Sequence, residues 1–226
     1  MVDGTCLENK RSARVRGFES LILRALQLIA MKKSLILVLA AAAMMLAGAN
    51  ASAQVSLGAG PATRLYFANG HDAIYGVGVQ VNFEDSMRLS DFFGYSAGVD
   101  FGTYKNKEYY VPGTSLTEMY VDLPVRVKFY LPLGGDVDLF LFGGPVASVC
   151  VSSHLKSGDI KSSMFDEGFS YSRYDVLAGG GIGMEIAERF KFTLGYDHGL
   201  LDRDKSSNEA KTMHVAAAKF TVSCMF

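Results

Sequence analysis

The 226-residue chain has no tryptophan, three cysteines, four histidines and five prolines. Each scarcity closes off a class of explanation. Cys150 and Cys224 are the two cysteines past residue 53 and lie far apart, which is too few for a disulfide framework or a thiolate zinc site. Each is expected to pack as a small apolar residue. The histidines, His71, His154, His198 and His214, fall on separate segments without metal-ligand spacing, so neither metal nor cofactor is expected. Past residue 53 there is no long amphipathic helical pattern and no repeat of solenoid length. A formal net charge of -1 gives no general affinity for polyanions, nucleic acid included. What the chain does have is 24 glycines, 15 phenylalanines and 11 tyrosines, with 49% hydrophobic against 20% charged residues.

The amino-terminal stretch reads as an address. Met31-Lys32-Lys33 is a short basic start, Ser34 to Ala49 is an apolar run rich in Leu and Ala, and Ala51-Ser52-Ala53 is a small-x-small cleavage triplet. Residues 31–53 are therefore expected to be a secretory signal peptide, cut before Gln54. The apolar run falls short of the roughly 18–20 residues that span a bilayer, and Gln54 offers no cysteine for a lipid anchor. Residues 1–30 precede a complete signal peptide and read as an upstream extension from a start codon placed too early. The domain is expected at 54–226, with fifteen Lys/Arg against twenty Asp/Glu.

Period-two alternation runs through that domain. Val55 to Phe67 places Leu57, Ala59, Leu65 and Phe67 opposite Ser56, Arg64 and Tyr66, although Pro61 cannot donate to a ladder. Tyr75, Val77, Val79, Val81 and Phe83 alternate with Gly76, Gly78, Gln80 and Asn82; Phe93 to Phe101 repeats the pattern. Leu116 to Leu131 is the sharpest case, with Met119, Val121, Leu123, Val125, Val127 and Phe129 facing away from Glu118, Tyr120, Asp122, Arg126 and Lys128. Asp136 to Val151 is apolar on both faces and its phase is open. Phe169 to Ile186 and Phe190 to Asp197 follow, and Met213 to Phe226 ends the chain with His214, Ala216, Ala218, Phe220, Val222, Cys224 and Phe226 on one face. That makes eight strands.

Links after the first, third, fifth and seventh strands are long, whereas those after the fourth and sixth are short. Glu84 to Asp91, the second link, is longer than this pattern prefers. Alternation alone fits a soluble lipocalin-like barrel or a membrane barrel, which differ in which face points inward. An export signal, a terminal aromatic strand, aromatics near strand ends and glycines concentrated on the polar face favour the membrane form. The expected fold is all-β: an eight-stranded antiparallel up-and-down transmembrane β-barrel in the bacterial outer membrane.

Four segments carry a family resemblance: Tyr120-Val121-Asp122-Leu123-Pro124-Val125-Arg126-Val127-Lys128-Phe129-Tyr130, Phe142-Gly143-Gly144-Pro145, Ala178-Gly179-Gly180-Gly181-Ile182-Gly183-Met184-Glu185, and Leu194-Gly195-Tyr196-Asp197-His198-Gly199-Leu200. In order and spacing they resemble the outer membrane protein beta-barrel domain and porin-family proteins of Gram-negative bacteria. The resemblance implies fold and location and transfers no catalytic residue. It also implies that Phe226, with Phe220, Val222 and Cys224 behind it, is similar to the carboxy-terminal signal read by the outer-membrane assembly machinery.

With polar faces inward, the lumen is expected to hold Arg64, Asp100, Glu118, Asp122, Arg126, Lys128, Arg173, Asp175, Glu185, Lys191, Asp197 and Lys219, six acids and six bases. Balanced charge in so narrow an interior favours a plug of ion pairs over an ion-selective pore, because an unpaired charge there is costly. The expected role is structural or surface-binding, as a monomer, with a small porin or secretion-system channel component as the alternative. An outer-membrane lipid-modifying enzyme is the third class. The His-x-Ser pair of lipid A deacylases is absent, since Gly199 and Leu200 follow His198, and Ser206-Ser207-Asn208 reads as a polar loop. Ser152 to Ser172, the longest link, mixes Lys156, Lys161, Asp159, Asp166 and Glu167 with Met164, Phe165, Phe169 and Tyr171, and is the candidate surface for a ligand.

Overall fold

The computed structural model describes residues 53–68, 72–108, 112–165, 171–204 and 212–226. Residues 1–52, where the upstream extension and nearly all of the signal peptide are expected, lie outside them, as do His71, Asp166, Glu167, Phe169 and Ser206-Ser207-Asn208. Nine strands follow one another: β1 (Ala53–Ala68), β2 (Ile74–Arg88), β3 (Phe93–Asn106), β4 (Thr114–Pro132), β5 (Val137–Ser157), β6 (Ile160–Ser163), β7 (Tyr174–Ile186), β8 (Phe190–Gly199) and β9 (Met213–Met225). Each of the eight long strands pairs antiparallel with its neighbours, β5 with β7, and β9 returns to β1 to close the ring. The short β6 folds back on the end of β5 as a hairpin above the ring.

The faces point as a membrane barrel requires. Along β9 the inward set, Met213, Val215, Ala217, Lys219, Thr221, Ser223 and Met225, is buried, while Phe220, Val222 and Cys224 face out and are exposed. The same inversion holds on β2, where Val77, Val79 and Val81 are exposed while Gln80 and Asn82 are buried. Closure removes the unpaired edge that an apolar terminal strand would otherwise present.

Three departures from the sequence pattern have local causes. β2 continues through Glu84 to Arg88, so the second link shrinks to 89–92, and Ser90 holds it by accepting from the Phe93 backbone N–H at 3.1 Å. All three turns on this side, 89–92, 133–136 and 187–189, are then short. The open phase of β5 comes from apolar residues on its inner face, Phe140, Val146 and Cys150, and the phase itself shifts only at a bulge, where Met119 pairs with Ser152 and Tyr120 with Cys150, which leaves Val151 as the extra residue. Below it Phe140, Val146, Ser148 and Cys150 turn inward; above it Ser153 does. The sixth ring strand starts at Tyr174 rather than at Phe169.

Prolines fall where the ladder is interrupted. Pro61 pairs with Val79 on β2, but the β1–β9 register skips from Ala59 to Ala62. Pro124 lies opposite the break in β3–β4 pairing, and Pro145 opposite the break in β4–β5 pairing. A residue that cannot donate therefore costs no ladder bond on its broken side.

Candidate functional site

The lumen is built in layers from the turns upward. In the lowest, Glu84 of β2 accepts from Lys128 Nζ at 2.6 Å and Lys191 Nζ at 2.9 Å. Lys128 also reaches Ser86 Oγ at 2.9 Å and Lys191 reaches Ser56 Oγ at 2.6 Å. Strands β1, β2, β4 and β8 are tied across the barrel by these four bonds.

The middle layer joins opposite walls. Arg64 of β1 gives Nη2 to both oxygens of Asp122 on β4, at 2.9 and 2.8 Å. Lys219 of β9 stands between three carboxylates, 3.0 Å from Asp100, 2.9 Å from Asp122 and 3.8 Å from Asp197. Arg126 donates Nη2 to Asp197 at 2.5 Å and Nη1 to the carbonyls of Gly144 and Gly179, at 2.7 and 3.1 Å. The Gly144 carbonyl lies in the interrupted stretch of the β4–β5 ladder, so the guanidinium supplies a donor that the ladder does not. Gly144 takes a φ of 156°, and a Cβ there would run into the Val125 carbonyl. Neutral partners complete the layer: Asn82 Nδ2 donates to Asp100 at 2.6 Å, and Ser148 Oγ to Asp122 at 2.5 Å.

Above it the lumen becomes aromatic. Glu118 accepts from the hydroxyls of Tyr66 and Tyr120 and from Ser153 Oγ. Arg64 lies 3.9 Å over the Tyr120 ring. Arg203, from the link between β8 and β9, is 0% exposed, 4.5 Å over the Tyr171 ring and 5.5 Å from that of Tyr120. Burial alone would lower its pKa; the oxygens of Tyr120, Tyr171 and Glu118 outweigh that and hold it above its ordinary value, a permanent cation. The top is apolar: Tyr66, Leu116, Met213 and Val215 pack with Met164, which follows β6 and turns down into the barrel mouth.

A void bounded by the ion-paired layers, between Gln80, Arg126, Phe142 and Lys219, measures about 60 Å³. That is room for a few waters, far below the roughly 300–1,000 Å³ of small-molecule pockets. A wider vestibule of about 770 Å³ opens at the turn side, between Arg88, Tyr130, Asp138, Glu185 and Phe226.

A strand ring of this size, apolar outside and charged inside, is the architecture of an outer-membrane barrel. The family model of the outer membrane protein beta-barrel domain matches residues 34–226. The chain belongs to that family. Its outward face therefore meets the lipid of a Gram-negative outer membrane, and its short turns face the periplasm. Among solved structures, the attachment invasion locus protein Ail of Yersinia pestis is 13% identical, with a TM-score of 0.50, over 77% of this chain and 99% of that one. Neisserial surface protein A is 16% identical, TM-score 0.47, over 77% and 97%. The outer membrane enzyme PagL is 8% identical, TM-score 0.43, over 75% and 97%. At such identities the likeness to Ail is one of fold. Comparison with curated proteins yields no match.

Within this outer-membrane barrel, nine of the twelve expected lumen charges meet in the network: Arg64, Asp100, Glu118, Asp122, Arg126, Lys128, Lys191, Asp197 and Lys219. Asp175 points inward but bonds to the Leu201 backbone N–H at 3.2 Å rather than to a cation. Glu185 is half-buried at the periplasmic vestibule and has no ion pair among the described residues. Arg173 is a correction: it is exposed, 4.0 Å over Phe165 at the loop rim, because the strand that was to turn it inward begins after it. Two residues were missed. By alternation alone Glu84 falls in the second link, and Arg203 lies in an irregular link where no periodicity reports which way a side chain points. Cys150 is buried as expected, whereas Cys224 faces lipid with Phe220 and Val222, and Phe226, just past the end of β9, lies exposed at the periplasmic vestibule.

Proposed function

We propose that this outer-membrane protein is a closed, monomeric barrel whose work is structural or carried by its extracellular surface, with no open pore and no catalytic centre. The reading is carried by one observation: Lys219 joins Asp100, Asp122 and Asp197, which project from three different strands, so ion pairs bridge the lumen where a channel would have to pass. The aromatic layer and the Met164 cap above it support the same conclusion. An eight-stranded ring leaves an interior that side chains can fill. On this reading the loop rim, 152–172 included, is the surface offered to ligands, and the assembly machinery recognises the aromatic end of β9.

Planar-bilayer recording on purified, refolded protein tests the proposal. The expected result is a quiet membrane at high protein load; steady single-channel steps would instead favour the small-porin reading.

A further inference from the structure

We propose that the outer wall of β3 to β6 binds a phosphate-bearing lipid of the outer leaflet. Register aligns Lys105 on β3 with Thr117 on β4, Thr117 with His154 on β5, and His154 with Ser163 on β6. One step further from the bilayer, Ser115 aligns with Lys156, and Lys156 with Lys161. These positions continue the outward rows of their strands, and the three lysines are exposed. Strand spacing of about 4.8 Å and about 6.8 Å for two residues along a strand place Lys156 roughly 5 Å from Lys161 and roughly 12 Å from Lys105, and gather all three within roughly 16 Å.

Nothing among the described residues neutralises this patch. No ion pair involves Lys105, Lys156 or Lys161, and the nearest exposed acids in sequence, Glu108 and Asp159, make none either. Lys156 and Lys161 stand directly opposite in an antiparallel pair, where like charges repel and lower stability. An anion between them would turn that repulsion into a shared contact.

The height of the patch identifies the anion's carrier. Lower on the same outward rows stand Phe101, Met119 and the bulged Val151, all exposed and facing lipid, with Thr103 between Phe101 and Lys105 and His154 between Val151 and Lys156. The lysines therefore lie just above the apolar band, Lys161 on the β6 hairpin, and face sideways from the wall. A lipid whose acyl chains lie against Phe101 and Met119 brings its headgroup phosphate up toward the lysine row, and the flexible lysine stems can reach down to meet it. A soluble anion gains only the second half of that arrangement. The inference rests on membrane residence and is independent of whether the lumen is closed.

Native mass spectrometry of the full protein in detergent tests it, with lipid A and its dephosphorylated form as paired probes. Lys105→Gln/Lys156→Gln/Lys161→Gln should bind lipid A roughly a hundredfold more weakly than the parent, from about one surface-charge increment per lysine. Dephosphorylated lipid A should bind parent and variant alike. Arg189→Gln, at the periplasmic turn, should leave lipid A binding unchanged. A retained band shift between unboiled and boiled samples reports that each variant is folded. Should the triple variant fail that check, single lysine variants are read instead, each expected to weaken binding about fivefold. Equal lipid A affinity of parent and lysine variants, or equal affinity for the two lipids, overturns the proposal. Glucose 1-phosphate competing as well as lipid A assigns the patch to soluble anions and overturns it too.

Discussion

Lys219 carries more of the lumen than any other single residue, because one ammonium compensates carboxylates from β3, β4 and β8. Removing one partner from a buried charge cluster costs roughly 3–5 kcal/mol, since the carboxylates left behind repel and are poorly solvated. Lys219→Ala should therefore lower the urea midpoint of the refolded barrel sharply, and adding Asp100→Asn should recover part of that loss. An additive or larger loss in the double variant would show that the two do not act as a pair. Gly144 is a second sensitive residue. Gly144→Ala drives a Cβ into the Val125 carbonyl and disturbs the backbone that receives Arg126, so it should destabilise the barrel, whereas Gly134→Ala, in an open turn, should cost only its own left-handed φ. The same urea titration compares them.

At the scale of elements, the long link between β5 and β7 is less of a free loop than its composition suggests. β5 reaches Ser157, β6 returns along it, and Met164 and Phe165 then turn inward on the aromatic layer. Ser172 N–H donates to the Arg203 carbonyl at 2.9 Å and Arg203 N–H to that of Met213 at 2.9 Å, so this link and the one before β9 are joined. Met164→Asp should free the segment without unfolding the barrel: trypsin would cut after Lys161 or Arg173 faster than in the parent, while the unboiled band of the uncut protein keeps its position. Equal cutting rates would mean that Met164 does not hold the segment down. At the other end of β9, Phe226 is 80% exposed and its backbone N–H is bonded to the Val55 carbonyl at 2.8 Å. Its side chain adds little packing, so deleting Phe226 should reduce insertion into the outer membrane in cells far more than it lowers the urea midpoint of refolded protein. Normal insertion would leave that residue without a role in assembly.

For the whole molecule, strand number, order and inversion were legible because a wall of alternating residues writes its two faces into the sequence directly. The nine network charges followed from the same alternation. What escaped was whatever breaks period two: the bulge at Val151, Arg203 in an irregular link, and the hairpin that brings Met164 into the mouth. Those exceptions build the upper half of the plug, so the lumen has two barriers in series, ion pairs below and an aromatic and apolar cap above. A series arrangement makes a specific prediction. Met164→Asp loosens the cap alone and leaves the Lys219 cluster intact, and should give no steady current. Lys219→Ala enlarges the small void beside Phe142 but leaves the cap closed, and should also stay silent. Together they open a path past Asp100, Asp122 and Asp197, whose charges then lack their shared ammonium, so the double variant should conduct with a preference for cations. Planar-bilayer recordings on all three decide it: steady current from either single variant would show that one layer, not two, keeps the barrel shut.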